Sequence, residues 1–221
     1  MLEVCLQNID DIEILNKYRD IVGRIELISA IEVGGLTPSI EMLKTVKERT
    51  DIPVMSMLRY RAGDFYYTEN EHSLHEESLM NLLKYTDGIV FGSLTKENKI
   101  NIEQTKRILE LTKKANKEFV FHRAIDCTAN YEESVKLLDE LGVTRILTSG
   151  HESDVVKGLK NIKKLKTNCE ILAGAGINEN NFKDFLPLQI HGTFSKKVDS
   201  SYGFYLKLDE DKLKKIRAYL L

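Results

Sequence analysis

Eight successive pairings of a short apolar run with a longer helical stretch predict a single α/β domain folded as a (β/α)₈ barrel. The short runs are β-branched or uniformly apolar, as suits strands buried on both faces. The longer stretches have helical periodicity, and regular alternation of the two implies parallel strands joined by helical crossovers. Eight such units fit within 221 residues. Closure is favoured because an open sheet would leave two edges to protect. A doubly wound open sheet is the alternative.

In order along the chain, Leu2–Leu6 is the first strand, paired with a helix over Ile9–Ile21. Arg24–Ala30 is the second, with a helix opened by Thr37 as N-cap and Pro38 at its first position. Pro53–Tyr60 is the third, and the polar, aromatic stretch from Arg61 to His72 is the longest connection. Gly88–Leu94 precedes a helix over Ile102–Ala115, and Glu118–Asp126 precedes one over Tyr131–Leu141. Arg145–Gly150 and Ile171–Gly176 follow, each with its own helix, before Ile190–Phe194 as the last strand. The closing helix, Asp209–Leu221, begins acidic and continues with Lys212, Lys214 and Lys215, which complements its dipole. No repeat, low-complexity tract or linker interrupts residues 1–221, so one domain is expected.

Lys and Arg total 32 against 34 Asp and Glu, so no bulk field draws the protein to nucleic acid or an anionic membrane. Any anion site must be local. Cys5, Cys127 and Cys169 are odd in number and far apart, a pattern of reduced thiols. No apolar stretch approaches the ~20 residues of a membrane helix, and no basic leader opens the chain. A cytoplasmic location is expected.

Ligands of such barrels sit at the C-terminal strand ends. Period-two alternation turns Glu3, Cys5 and Gln7 of the first strand toward the axis, and Arg24, Glu26, Ile28 and Ala30 of the second. In the third, Met55, Met57, Arg59 and Arg61 share one face; in the fifth, His122 and Asp126 point inward with Arg123 at the turn. An interior holding Glu3, Glu26, Arg59 and His122 is either a structural ion-pair network or a site, since buried charge is costly unless paired or functional. His122, Asp126 and Arg59 are the candidate catalytic groups. Glu3 and Glu26 lie too early in their strands to neutralise the whole group.

Small residues after the later strands form a second constellation. Ser149 and Gly150, Gly174 and Gly176, and His191 on the last strand would bring donors to an anion, joined across the mouth by Arg61 and Arg123. The same glycines also serve as tight turns. A third constellation is sulfur. Cys5 shares inward parity with Met55 and Met57, a soft set suited to copper(I), although methionine in a barrel is commonly packing.

Taken together, these stretches resemble the CutC family of TIM-like barrels. The matching segments are Leu2-Glu3-Val4-Cys5, Arg24-Ile25-Glu26-Leu27, Gly34 to Ser39, Arg59 to Phe65, Phe121-His122-Arg123-Ala124 with Asp126, Leu147 to Gly150, and Ala173 to Gly176. The resemblance implies a cytoplasmic protein of copper homeostasis, with copper(I) on cysteine thiolates and Cys5 as the metal ligand. Ile28 stands where family members typically carry a second cysteine, Tyr60 replaces a usual proline and Ala62 a usual glycine, and residues 196–209 form a shorter segment than usual. Two functions follow: a copper-binding homeostasis protein, or an enzyme acting on a small anionic metabolite, phosphorylated or not, at the barrel mouth. Base rates and the resemblance also point to a homo-oligomer, a dimer or tetramer.

Overall fold

The computed structural model describes residues 1–221 and is a closed parallel barrel. Its strands, in spatial and chain order, are β1 (Leu2–Leu6), β2 (Val22–Leu27), β3 (Val54–Met57), β4 (Gly88–Phe91), β5 (Glu118–Phe121), β6 (Arg145–Thr148), β7 (Glu170–Ala173) and β8 (Gln189–Gly192), with β8 pairing back onto β1. Around them run α1 (Ile12–Lys17), α2 (Ile40–Arg49), α3 (Glu69–Leu82), α4 (Ile102–Lys114), α5 (Tyr131–Glu140), α6 (Val155–Lys164) and α7 (Glu210–Leu220). None of them is long and apolar enough to cross a membrane.

Side-chain alternation divides the core in two. Ile25, Leu27, Phe119 and Phe121 face outward into the layer between strands and helices. Ile28, Met55, Met57, Val90, Val120, Leu147 and Leu172 fill the barrel interior. The apolar interior supports the polar mouth above it, and every strand except β1 ends before the boundary expected from sequence. The released residues build the mouth. After Phe121, for example, His122 caps a 3₁₀ turn over Arg123–Cys127 instead of extending β5.

Several expectations are corrected. Thr37 is not the cap of α2; its hydroxyl donates to Arg59 O at 2.9 Å and accepts from Arg59 N at 2.7 Å, tying the β2 and β3 loops together. Ser39 caps α2 instead, its Oγ accepting from Met42 N. The stretch expected as loop to His72 turns helical at Glu69, because Thr68 and Glu71 form a reciprocal capping box. The first helix shrinks to Ile12–Lys17 behind a 3₁₀ turn at Ile9–Asp11, where the buried Asp11 carboxylate accepts from Leu208 N. The helix expected after β7 is reduced to a 3₁₀ turn, Phe182–Phe185. Between β8 and α7 the chain forms an unforeseen antiparallel hairpin, β9 (Ser195–Ser200) and β10 (Gly203–Leu208).

Helix α6 crosses the loop after β6 in backbone contact. A Cβ on Gly158 would lie 1.7 Å from Ser149 O, and one on Gly150, whose φ is +76°, would lie 2.3 Å from Gly158 O. Alanine in a helix interior is ordinarily worth about 1 kcal/mol over glycine, but here the collision is with backbone. Gly158→Ala should therefore destabilise the protein by about 1–3 kcal/mol. Urea denaturation measures this, and a gain in stability would contradict the packing described.

Candidate functional site

The C-terminal ends of the strands surround a cavity of about 490 Å³. Its lower wall is an ionic network held by β8, β1 and β2. Ladder pairing sets Glu3 against both Arg24 and His191, and Cys5 against Glu26. Arg24 Nε donates to Glu3 Oε2 at 2.8 Å, and His191 Nδ1 lies 2.8 Å from Glu3 Oε1. His191 Nε2 is 3.1 Å from Cys5 Sγ and 3.5 Å from Glu26 Oε2, while the Cys5 thiol donates to Glu26 Oε2 at 3.3 Å.

Charge sharing decides the protonation of this network. Burial works against an imidazolium at His191, but Cys5, Glu26 and Glu3 outweigh it and hold the ring protonated well above its ordinary range. Burial would likewise raise Glu3, yet its bonds to His191 and the Arg24 charge keep it below the usual carboxylate range. Glu26 is raised, by burial first and then by Glu3, against the pull of His191. Burial, opposed by His191, pushes the Cys5 thiol up to about 12. Cys5 is therefore a neutral thiol.

The opposite wall is built by the segments after β3 and β5. Arg59 is 4% exposed and forms no ion pair. Its Nη1 donates to Val33 O at 2.9 Å and Gly35 O at 3.3 Å, its Nη2 to Gly63 O at 3.0 Å, and its guanidinium lies 4.9 Å from the centre of the Phe65 ring. Arg59 Nε has no partner. His122, 3% exposed, packs against the same Phe65 ring at 4.8 Å. Burial, then the Arg59 charge, lowers its pKa to about 3, so the ring is neutral. Its Nδ1 accepts from Ala124 N at 3.2 Å, which puts the proton on Nε2, and that atom too has no partner. Glu26 Oε1 is a third buried polar atom of this cavity without a partner.

The remaining residues anticipated for the site divide. Arg123 and Gly176 line the cavity, and Gly176, at φ +96°, forms no hydrogen bond through its N–H within the protein. Asp126 does not line it. Its Oδ1 accepts from Thr148 Oγ1, Ser149 N and His151 N, and its Oδ2 from Ser149 N and Arg123 Nε, so the carboxylate organises the loop after β6. The same bond consumes the Ser149 N–H, while Gly150 N donates to Thr148 Oγ1 and Gly174 N to Thr148 O. Arg61 is turned to the surface, paired with Glu71 and Asp64. Glu26 is not too deep to serve the mouth: it lines the cavity, which dips on the β1–β2 side as far as Cys5. Phe65 was missed, and lies on the loop where aromatic residues marked an irregular connection.

Cys5 Sγ, one Glu26 oxygen and a His191 nitrogen lie within 4.8 Å of one another, a spacing one ion can span. Copper(I) takes thiolate and neutral imidazole, so it would compete there with the protons held on Cys5 and His191. Ile28, buried in the cavity wall, supplies no second sulfur. At the other end of the barrel a groove of about 590 Å³ is lined by Arg19, Lys47 and Arg49, but none of its residues has a buried unpartnered side-chain atom.

In a closed parallel barrel of this kind the strand C-termini are where ligand contacts concentrate. The CutC family model matches residues 1–196, and the chain belongs to the CutC family. It is 36% identical to family protein CutC of Salmonella paratyphi B over 211 residues, 93% of this chain and 81% of that protein. The CutC protein of Treponema denticola is also 36% identical, over 86% of this chain and 79% of its own. Among solved structures, a CutC protein from Streptococcus agalactiae, described in connection with copper homeostasis, superposes with a TM-score of 0.78 at 29% identity, covering 87% of this chain and 98% of that one. The 3-hexulose-6-phosphate synthase of Salmonella typhimurium shares the fold, with a TM-score of 0.64 at 16% identity over 99% of this chain and 97% of that one.

Burial of neutral histidines makes the fold acid-sensitive. Besides His122, His75 packs at 4.6 Å from the Tyr67 ring with both nitrogens unpartnered, and burial, then His72, lowers its pKa to about 4. The unfolded chain takes up protons at these residues below its own value of 6.5, and the folded chain does not. Stability is thus lost as pH falls from 6.5 toward 4, by up to about 1.4 kcal/mol per pH unit per histidine. His191, raised in the fold, gives its full contribution throughout this window and loses it only at higher pH, so it offsets nothing. Denaturation between pH 6.5 and 4 should show His75→Phe with a shallower decline than wild type; equal slopes would contradict the assignment.

Proposed function

We propose that the barrel mouth binds a small anionic metabolite of the phosphorylated class, with Arg59 and His122 holding its negative end. The observation that carries this reading is a guanidinium buried without any acidic partner, beside a neutral imidazole whose Nε2–H also lacks an acceptor. Carbonyl oxygens satisfy part of the Arg59 fork but not its charge, and an uncompensated buried charge is unfavourable by several kcal/mol. A phosphoryl or carboxylate group supplies both the charge and the acceptors. Arg123 at the rim and the Gly176 N–H add donors. Three free cysteines accord with a cytoplasmic setting.

Calorimetry with inorganic phosphate tests this. Wild type should bind, and both Arg59→Gln and His122→Phe should weaken binding about tenfold or more, the worth of a charge-assisted hydrogen bond. Unaltered affinity in either folded variant, or no binding to wild type, would contradict it.

A second reading, copper(I) binding, follows from the family's association with copper homeostasis and from the three ligand atoms within 4.8 Å. Copper would enter at Cys5 and His191, displacing the thiol proton and the proton on His191 Nε2. Affinity is then set by competition with protons. In a copper(I) competition assay from pH 6.5 to 8.5, apparent affinity should climb roughly tenfold to a hundredfold per pH unit, and Cys5→Ser should abolish binding. A pH-independent affinity, or one equal in Cys5→Ser, would remove this reading.

A further inference from the structure

Glu26 distinguishes the two ends of the cavity. Its side chain is buried to 3% exposure, its Oε2 is engaged by the Cys5 thiol and lies 3.5 Å from His191 Nε2, and its Oε1 is buried with no partner in a residue that lines the same cavity. Arg59 and His122 offer only donors there, whereas Glu26 Oε1 offers an acceptor. The walls are separate in the barrel: Glu26 is on β2, and His122 follows β5, three strands away. They also differ in level. Glu26 pairs in the ladder with Met55, and Arg59 stands four residues further along the same segment, or about 13 Å of extended chain. The same cavity is lined by Ile28, Met57 and Leu147, an apolar cluster.

We infer that the ligand of this mouth is a hydroxylated anion, a short polyol or hydroxy-acid skeleton whose phosphoryl or carboxylate end sits on Arg59 and His122 and whose hydroxyl donates to Glu26 Oε1. This rests on the anion-binding reading above and adds the ligand's other end. A hydroxyl satisfies Glu26 Oε1 without adding charge, whereas a plain alkyl anion of the same length leaves that oxygen buried and unpaired. Leaving a buried carboxylate oxygen unpaired is what lets a site reject an analogue that lacks only a hydroxyl. His191 and the Cys5 thiol are positioning groups in this scheme, because they engage Oε2 and leave Oε1 as the oxygen without a partner.

The test is calorimetry with two matched pairs, glycerol 3-phosphate against propyl phosphate and ribitol 5-phosphate against pentyl phosphate. Wild type should bind the polyol phosphate of at least one pair tenfold or more tightly than its alkyl match. In Glu26→Gln the single amide oxygen remains with the Cys5 and His191 donors, and the amide NH₂ replaces the acceptor at the cavity. That variant should keep the alkyl phosphate affinity and lose the preference. Equal binding within both pairs by wild type, or a preference retained in Glu26→Gln, overturns the assignment of Glu26. If neither the phosphates of these pairs nor inorganic phosphate binds at all, the anion site itself is wrong and this inference falls with it. Because the comparison within wild type requires no variant, a failure of Glu26→Gln to fold does not shield the proposal.

Discussion

Arg59 carries a charge that the protein buries and does not neutralise. Its fork is held by carbonyl oxygens of the β2 and β3 loops, and its backbone is locked to the Thr37 hydroxyl in both directions. Two loops converge on one cation, so the shape of the mouth depends on it. A charge placed so carefully, with its Nε–H buried and unpartnered, sets the electrostatics of everything near it. Burial first, and then this charge, lowers the affinity of His122 for a proton and keeps that ring a neutral donor.

The ions beneath the mouth behave differently. Glu3, Arg24, His191 and Glu26 bring two acids and two bases together, and nearly every polar atom among them has a partner. Part of this network is scaffold and part borders the cavity. The scaffold is the Glu3 group, which compensates itself. Glu26 belongs to both, with one oxygen bound into the network and the other buried without a partner in a residue that lines the cavity. Burial, more than its hydrogen bond to Glu26, raises the Cys5 thiol, so the cysteine at this barrel mouth is a proton donor and no free thiolate.

Much of this was legible in the residue pattern because strand alternation is a local property. Parity alone put Glu3, Cys5, Glu26 and His122 inside, and the repeated strand–helix units were enough to expect a closed barrel. The failures share a cause, since each depended on a partner distant in sequence. Asp126 has inward parity on paper, but the loop after β6 presents two N–H groups and a hydroxyl that claim it. Thr37 has the sequence of a cap, but the end of β3 takes its hydroxyl and leaves the role to Ser39. His191 was grouped with the glycine loops, although its bonding partner is Glu3, 188 positions away. The β9–β10 hairpin was invisible for another reason: Ser195–Ser200 is polar on both faces, so no alternation marks it. The Thr68–Glu71 capping box, by contrast, was present in the sequence and simply outweighed by the aromatic residues before it.

The central claim is that the mouth presents unpartnered donors to an anion, and the His122 ring reports on it directly. Long-range ¹H–¹⁵N spectra of the imidazole nitrogens at neutral pH, without and with inorganic phosphate, should show His122 as the neutral Nε2–H tautomer. Its Nε2 proton should move downfield as phosphate is added, while Nδ1 remains an acceptor. A protonated His122 at neutral pH, or an Nε2–H signal indifferent to saturating phosphate, would contradict the account.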